Sequence, residues 1–266
     1  MALGLLDAAL LSTGICGVLC ALAYYKDVLT LDGTLAAFVV GLVIGILGDV
    51  TWLLLLLFFL LSSFAATRYR FALKEAMGVQ EGKKGERRAS NVLANGVAPM
   101  AAAVLSFASP ALPSGWFPRY AAGIVFLAGL AVAGSDTLAS EIGVLSPNPV
   151  LITTFQRVTP GTDGGISLLG EACAVLAAVY TALFGWLVLG TLARAYGLDP
   201  TMPVDGVFLV IPAVIGFVGC QIDSVIGATL ERRGLVNKKT TNLIATCTGA
   251  ILAYLILVAW VPGLTL

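Results

Sequence analysis

The sequence predicts an all-α polytopic integral membrane protein that forms one helical domain over residues 1–266. Three observations lead to this prediction: the composition, a series of long apolar segments, and the distribution of charge between them. Of the 266 residues, 59% are hydrophobic and 11% are charged, with a mean hydropathy of +0.98. Soluble domains typically carry about 25% charged residues, so this composition is typical of a membrane protein.

Eight apolar segments have about the length needed to cross a bilayer, which takes roughly 20 residues of helix. They are 4–23, 31–48, 51–66, 92–108, 119–135, 167–192, 204–222 and 243–261. The second and third are short and lie only three residues apart, so they can form a tight hairpin and seven spans remain possible. The first segment lacks a basic region before it and a cleavage site after it, which indicates an anchor and not a removable signal.

The basic residues collect on one side of the predicted membrane. If the N-terminus is outside and all eight segments cross, 13 of the 15 Lys and Arg residues are cytoplasmic, and only Arg119 and Arg194 are outside. This distribution is the one that the positive-inside rule predicts. Both termini then lie outside. Because 11 of the 15 acidic residues also fall on the cytoplasmic side, we expect the active site at that face.

The available side chains limit the chemistry. The chain has no histidine, which excludes Ser/His and Cys/His triads and the usual zinc ligand. The five cysteines lie in apolar segments and form no CxxC pair, so neither a disulfide nor a metal role is predicted for them. Chemistry must therefore use carboxylates, lysine or arginine, hydroxyls, amides and a hard cation.

The segment EGKKGERRASNVLANG, residues 81–96, combines basic and amide side chains before the fourth apolar segment. Arg87, Asn91 and Asn95 are spaced four apart and share one helix face. Arginine beside amides suits phosphate oxygens, so we predict phosphate or nucleotide binding here, together with Lys83 and Lys84. The alternative for the lysines is a topogenic loop that rests on anionic lipid.

Two carboxylates mark the end of the fifth apolar segment, in AGSDTLASEIG. Asp136 shares a helix face with Ser140, and Thr137 shares a neighbouring face with Glu141. The two acids are about 140° apart around an ideal helix, so they bind one ion only if the helix frays or another helix supplies a third acid. Carboxylates near membrane depth are costly and usually functional, although pairing with basic loops is the alternative.

A glycine- and hydroxyl-rich loop, VTPGTDGGISLLGE, runs directly into the sixth apolar segment. Helix N-termini carry free N–H groups and partial positive charge, and glycines let the backbone approach a ligand. We therefore predict a phosphate site at Gly161, Thr162, Gly164, Gly165 and Ser167. No Walker motif is present, and an ordinary re-entrant loop with a Thr or Asp cap is the alternative.

The fourth polar cluster is GCQIDSVIGATLERRG, at the end of the seventh segment. Asp223 and Ser224 precede Gly227 in a small-residue pattern that favours close helix packing. We predict Asp223 as a functional carboxylate and Ser224 as a binding residue, with capping as the alternative. Asn242, at the start of the eighth segment, is a weaker candidate.

Together these clusters predict one site where the ends of four helices meet. Carboxylates beside phosphate-binding groups imply a divalent cation, because the acids would otherwise repel the ligand. Mg²⁺ fits best, since it takes oxygen ligands and usually keeps phosphates and water in its shell. We predict Asp136, Glu141 and Asp223 as its ligands, in a site for phosphoryl or nucleotidyl transfer, where catalysis is mostly positioning and charge neutralisation.

The order of these motifs resembles a family of integral membrane proteins that includes transmembrane protein 19 of animals and the plastid phytyl-phosphate kinases of vitamin E synthesis. The resemblance covers nearly the whole chain and is sharpest at 134–141, 161–165 and 223–229. Asn95-Gly96 and Asn242 also match. The sequence departs from the family pattern at Glu86, where lysine is common, at Asn91, where glutamine is common, and at Asp163, where asparagine is common.

The resemblance implies a CTP-dependent kinase that converts an isoprenyl monophosphate, such as phytyl or geranylgeranyl phosphate, into the diphosphate. On this interpretation Arg87, with Lys83 or Lys84, neutralises charge on the transferred group, and loop 161–167 cradles phosphates. Further nucleotide- or acceptor-binding candidates are Asn91, Asn95, Thr137, Ser140, Ser224 and Asn242. A phosphate acceptor is already anionic near neutral pH, so the missing histidine causes no difficulty. The expected partners are prenyl phosphate, nucleoside triphosphate and membrane lipid, without nucleic acid.

Three alternatives remain. Cytidylyl transfer onto a lipid phosphate would use the same groups, with attack at the α-phosphate and release of pyrophosphate. A prenyltransferase would usually show aspartate-rich repeats such as DDxxD, which this chain lacks. A transporter or flippase would need polar groups deep in several spans, whereas the outer half of each predicted helix is apolar.

Overall fold

The computed structural model describes residues 4–111, 116–198 and 200–261. Most of this part of the chain is helical, and it contains one short antiparallel pair of strands. The helices are α1 (Leu5–Tyr25), α2 (Leu31–Val43), α3 (Trp52–Arg68), α4 (Phe71–Ala76), α5 (Ala89–Ala108), α6 (Arg119–Gly143), α7 (Leu168–Trp186), α8 (Ala193–Ala195), α9 (Val207–Ile226) and α10 (Lys238–Trp260). The strands are β1 (Val150–Leu151) and β2 (Gly165–Ile166).

Three helices continue through a wider π-helical turn. Ile44–Gly48 extends α2, Leu187–Leu192 joins α7 to α8, and Gly227–Glu231 extends α9. Single π-helical turns occur frequently at functional sites. The third of these turns begins four residues after Asp223 and lies beside the glycine-rich loop, as described below.

Seven of the helices in the described residues, counted with their extensions, are long and apolar enough to cross a membrane. An eighth apolar helix, α3, is shorter, with 17 residues. The predicted all-α polytopic class is therefore confirmed. The side of the membrane on which each terminus lies, and with it the cytoplasmic position of the polar end, stays a prediction from the charge pattern.

Helix α6 forms the centre of the bundle, with α3, α5, α7, α9 and α10 packed around it. Its most apolar stretch is entirely buried, and alanine and glycine are its commonest residues. Small side chains let helix backbones approach closely. Gly219 on α9 and Gly249 on α10 both lie against Val132, which a Cβ at either position would overlap. This packing encloses the polar end of α6 within the protein.

Helix α6 extends well beyond the predicted segment 119–135. It continues to Gly143 without a break, because no proline or strong turn signal occurs within 136–143. Asp136 and Glu141 therefore both lie inside a regular helix and are fixed on different faces of it. Fraying, which would have brought the two carboxylates together, does not occur.

The connection between α6 and α7 folds back on itself as a small hairpin. Val150 pairs with Ile166 and Leu151 with Gly165. Ser167 ends the hairpin and caps α7: its Oγ accepts a hydrogen bond from the Gly170 N–H at 3.1 Å and donates one to the Gly143 carbonyl at 3.2 Å. The cap residue is thus a serine, and it ties the start of α7 to the end of α6.

Candidate active site

A cavity of about 280 Å³ lies where α6, α7 and α9 meet the hairpin loop. We call it the acidic cavity, because six carboxylate side chains line it. They are Glu81, Asp136, Glu141, Asp163, Glu171 and Asp223. Among the described residues that line it, Lys238 is the only basic one. The excess of negative charge means that a phosphate-containing ligand could enter only with cations.

Asp136 and Asp223 come together at the ammonium group of Lys238. The Lys238 Nζ lies 2.7 Å from Asp223 Oδ1 and 3.5 Å from Asp136 Oδ1. Both aspartates are buried, whereas the Lys238 side chain is 39% exposed. The second oxygen of Asp223, Oδ2, is buried and has no hydrogen-bond partner. One carboxylate oxygen of this pair is therefore left without a hydrogen-bond partner.

The start of α10 positions both polar partners of Asp136. Asn237 caps this helix by accepting hydrogen bonds from the N–H groups of Lys239 and Thr240, at 3.0 and 3.1 Å. Lys238 is consequently the first helical residue, and Asn242 follows about one turn later. The Asn242 Nδ2 donates to Asp136 Oδ2 at 3.3 Å, while its Oδ1 is buried without a partner.

Glu141 faces away from the Asp136–Asp223 pair. Its Oε2 pairs with the fully buried ammonium of Lys74 at 2.6 Å, and its Oε1 accepts from Thr67 Oγ1 at 3.0 Å. Lys74 also donates to the Ala66 and Thr67 carbonyls. Glu141 still lines the acidic cavity, but the short helix α4 holds it on another wall.

The three predicted metal ligands therefore do not form one cluster. Within residues 4–111, 116–198 and 200–261, no three Asp, Glu, Cys or His side chains are grouped so that they could hold a metal ion. The physical reason is the angular separation of Asp136 and Glu141 on an unbroken helix. Of the three, only the carboxylates of Asp136 and Asp223 converge, and they do so at Lys238.

The glycine-rich loop forms another wall of the acidic cavity, and it includes the predicted Gly161, Thr162, Gly164, Gly165 and Ser167. Gly164 has a φ of +73° and lies against the backbone of Ala228, so a Cβ there would overlap the π-helical turn of α9. Gly227 approaches Gly164 from the other side of this contact. The glycine-rich loop and the segment after Asp223 thus pack directly on each other. This close packing requires glycine at Gly164 and Gly227, whether or not the loop binds phosphate.

The predicted Arg87, Asn91 and Asn95 stripe lies elsewhere. All three side chains are buried and line a second, apolar cavity between α1, α2, α3 and α5. The backbone of Arg87 is fixed by hydrogen bonds to the turn after α1: its N–H donates to the Val28 carbonyl at 3.0 Å, and its carbonyl accepts from the Thr30 N–H at 3.1 Å. The arginine is therefore held rigidly at the start of α5.

Arg87 and Asn91 connect the two cavities. Asn91 Nδ2 donates to Glu81 Oε1 at 2.8 Å, and Glu81 lines the acidic cavity. Burial lowers the pKa of Arg87, and the nearby charges of Glu141, Glu81 and Asp136 oppose that shift. Burial tends to raise the pKa of Glu81, but Lys239, Asn91 and Arg87 outweigh it and hold this pKa below its usual value. Glu81 is therefore ionised at neutral pH, beside the guanidinium.

The remaining predicted residues are placed as follows. Ser140 and Ser224 line the acidic cavity, and Ser140 Oγ donates to the Asp136 carbonyl at 2.8 Å. Thr137 is buried in α6. Lys83 and Lys84 are exposed and do not line either cavity. Lys84 pairs with Asp27 at 3.1 Å on the surface, which agrees with the alternative of a basic surface loop.

Several charged residues of the site were not among the predicted site residues. Asp163 and Glu171 line the acidic cavity, and three more bond to predicted residues. Lys238, Lys74 and Glu81 are paired, respectively, with Asp223, Glu141 and Asn91. Lys238 could have been suspected, because it stands one turn before Asn242 at the start of a span. Nothing in the sequence distinguishes Lys74 or Glu81 from the other charged residues of the long basic connector. The partner of Lys74 is 67 positions away, and the partner of Glu81 is 10 positions away, in the next long helix.

Fold and cavity together define an integral membrane protein with a carboxylate-rich site at one end of its helical bundle. The chain belongs to the family described as integral membrane protein DUF92, whose model matches residues 14–257. This match confirms the family resemblance inferred from the motifs. No solved structure is significantly similar to the chain.

Several relatives align over most of the chain. An uncharacterized membrane protein of Methanocaldococcus jannaschii is 33% identical over 226 residues, 85% of this chain and 84% of that protein. Protein PGR of Arabidopsis thaliana is 34% identical over 221 residues, 80% of this chain and 75% of that protein. The chloroplastic protein VTE6 of the same plant is 31% identical over 232 residues, 85% of this chain and 65% of that protein.

Proposed function

We propose that the protein is a membrane kinase that phosphorylates an isoprenyl monophosphate to the diphosphate with a nucleoside triphosphate, CTP being the expected donor. The observation that carries this proposal is the convergence of Asp136 and Asp223 in a cavity that the glycine-rich loop also lines. The resemblance to plastid phytyl-phosphate kinases, and the alignment with a chloroplastic relative over 85% of the chain, support the same chemistry.

The donor groups of the acidic cavity support binding of a magnesium-bound nucleotide. Mg²⁺ in such sites is commonly bound by one or two carboxylates plus substrate phosphates and water, so two converging aspartates suffice. Asp136 and Asp223 would hold the ion, and Asp223 Oδ2, buried without a partner, is the oxygen that lacks an interaction. The bound ion would offset the negative charge of the cavity and of the triphosphate.

The transfer step needs no base. An oxygen of the lipid monophosphate attacks the γ-phosphorus, the bond from that phosphorus to the β,γ-bridging oxygen breaks, and the nucleoside diphosphate leaves with the electron pair. The second pKa of a phosphate monoester is about 6, so the acceptor is already mostly a dianion at neutral pH. Positioning and charge neutralisation therefore carry the catalysis.

The basic residues act on the two phosphate groups from different sides. Lys238, partly exposed between the two aspartates, donates to the triphosphate. Arg87, buried beside Glu81 and Glu141, donates to the phosphate of the acceptor. Ser140, Ser224 and the backbone of loop 161–167 line the space for the nucleotide.

Product analysis tests this proposal. Purified protein is incubated in detergent with a C20 prenyl monophosphate, each nucleoside triphosphate in turn, and Mg²⁺, and the products are identified by mass spectrometry. The kinase yields prenyl diphosphate and a nucleoside diphosphate. Formation of pyrophosphate with a nucleotidyl-lipid would instead assign a cytidylyltransferase. Nucleotide-independent lipid flux in liposomes, without any new product, would assign a transporter.

Asp136→Asn supplies the matched variant, because it removes one charge without changing the side-chain volume. We expect it to remove transfer activity while the protein stays monodisperse in detergent. Asp27→Asn is the control, because it makes the same change at a carboxylate that belongs to an exposed surface pair. Normal turnover of the Asp136 variant would refute the assignment of this cavity as the catalytic site.

A further inference from the structure

The second cavity, which we call the apolar cavity, is enclosed by α1, α2, α3 and α5. Its volume is about 120 Å³, and aliphatic, aromatic and cysteine side chains form nearly all of its wall. Its lining includes Leu19 and Cys20 of α1, which are half-buried. Among the described residues, the only strongly polar ones that line it are Arg87, Asn91 and Asn95.

One buried hydrogen-bond donor at the polar end of the apolar cavity has no acceptor. Arg87 is 93% buried (7% exposed), and its Nε–H is without a hydrogen-bond partner. An unpaired buried donor costs about 1–3 kcal/mol, and native proteins rarely tolerate one. A ligand with an anionic head and an apolar body would satisfy the guanidinium and fill the space beyond it.

We propose that the apolar cavity binds the first part of the hydrocarbon tail of a single-chain lipid phosphate, with its phosphate at Arg87. This inference rests on the proposed kinase reaction at the adjoining acidic cavity. It assigns selection of the lipid acceptor to the apolar cavity. Arg87 and Asn91 lie at the contact between the two cavities, so a phosphate held there faces the nucleotide site.

The dimensions of the apolar cavity favour a lipid with a single hydrocarbon chain. A volume of about 120 Å³ is small beside a long lipid tail, which favours the start of one slim hydrocarbon chain over two chains side by side. The remainder of a long tail must continue past Leu19 and Cys20 along α1. Only 17% of the most apolar stretch of α1 is buried, so this helix offers an open apolar route towards lipid.

Binding without nucleotide tests the inference separately from catalysis. Native mass spectrometry of the full chain in detergent measures retention of C20 prenyl monophosphate, C5 prenyl monophosphate, C20 prenyl alcohol and a two-chain phosphatidate. We expect the C20 monophosphate to bind most tightly and the phosphatidate to bind at least about tenfold more weakly, the factor that roughly two unburied methylene groups produce. Equal binding of phosphatidate and C20 monophosphate would refute a single-chain site.

A pair of variants on α1 locates the tail. Cys20→Phe places a ring into the apolar cavity, whereas Val18→Phe introduces the same ring at a position that is 62% exposed and does not line it. We expect Cys20→Phe to weaken binding of the C20 monophosphate about tenfold and to leave the C5 compound unaffected, and Val18→Phe to match the wild type. If Cys20→Phe does not yield folded protein, Ala37→Leu tests the cavity from α2.

The outcomes separate the two proposals. Chain-selective binding without any phosphate transfer would support the tail site and refute the kinase. Phosphate transfer with unchanged C20 binding in both Cys20→Phe and Ala37→Leu would support the kinase and refute the tail site. Equal binding of C20 alcohol and C20 monophosphate would remove the role assigned to Arg87.

Discussion

The two cavities differ in how the protein builds them. The acidic cavity is formed by the ends of α6, α7 and α9 together with the connection between α6 and α7, and α6 is buried along its whole apolar stretch. The apolar cavity is formed mainly by α1, α2, α3 and α5, and α1 is mostly exposed. Buried charges need fixed partners to offset their desolvation, and Asp136 and Asp223, the two buried carboxylates of the acidic cavity, have such a partner in Lys238. A hydrocarbon chain needs only apolar area, which the peripheral helices supply.

Because its buried charges depend on fixed partners, the acidic cavity should tolerate substitution less well than the apolar cavity. Lys74→Met leaves Glu141 without its buried partner. Removing one member of a buried ion pair typically costs 3–5 kcal/mol, so we expect a loss of about 3 kcal/mol in stability, measured as a lower midpoint of thermal unfolding in detergent. The double variant Lys74→Met with Glu141→Gln should regain part of this loss. Lys84→Ala, in an exposed pair, is the control.

Asp223→Asn should separate catalysis from lipid binding. Removal of this charge takes away an electrostatic contribution to the transition state, which we expect to lower kcat on the order of 10²- to 10³-fold. Retention of C20 prenyl monophosphate should be unchanged, because Asp223 does not line the apolar cavity. Parallel loss of both properties would show that the cavities do not act separately.

Arg87→Lys should weaken binding of the lipid phosphate, because Arg87 lines the apolar cavity and not the acidic one. Lysine keeps the charge but loses the planar set of donors that suits phosphate. We expect about a tenfold rise in KM for the lipid phosphate, equivalent to about 1.4 kcal/mol, with KM for the nucleotide unchanged. Steady-state kinetics with each substrate varied in turn measures this. A rise only in the nucleotide KM would place Arg87 in the nucleotide site instead.

The smallest effect is expected for the exposed basic loop. Glu86 accepts hydrogen bonds from the backbone N–H groups of Lys83 and Lys84, so it closes the turn and does not face either cavity. Lys83→Ala and Lys84→Ala should therefore leave kcat within about twofold, and stability within about 0.5 kcal/mol, as is usual for surface substitutions. A large loss of activity in either variant would restore the predicted catalytic role of these lysines.

Much of the site could be predicted because its motifs are local. The chain order of Asp136, loop 161–167 and Asp223 was sufficient to expect one site, and all of them line the acidic cavity. The predicted grouping of Glu141 with the two aspartates was wrong, because the direction of Glu141 depends on where α6 ends and on Lys74 of α4. The lysines at 83 and 84 could not be assigned to surface or site, since flexible basic side chains have the same sequence signal in both settings.

By itself, the sequence determined the class of the protein: long apolar segments must become helices in lipid, where each backbone polar group has to be satisfied within its own segment. Only the tertiary structure decided which charges meet. Lys238 reaches Asp136 across 102 positions of the chain, and that contact depends on the rotation of α6 and α10 about their axes. Those rotations are set by small residues packing around Val132, such as Gly219 and Gly249, through contacts that no local pattern specifies.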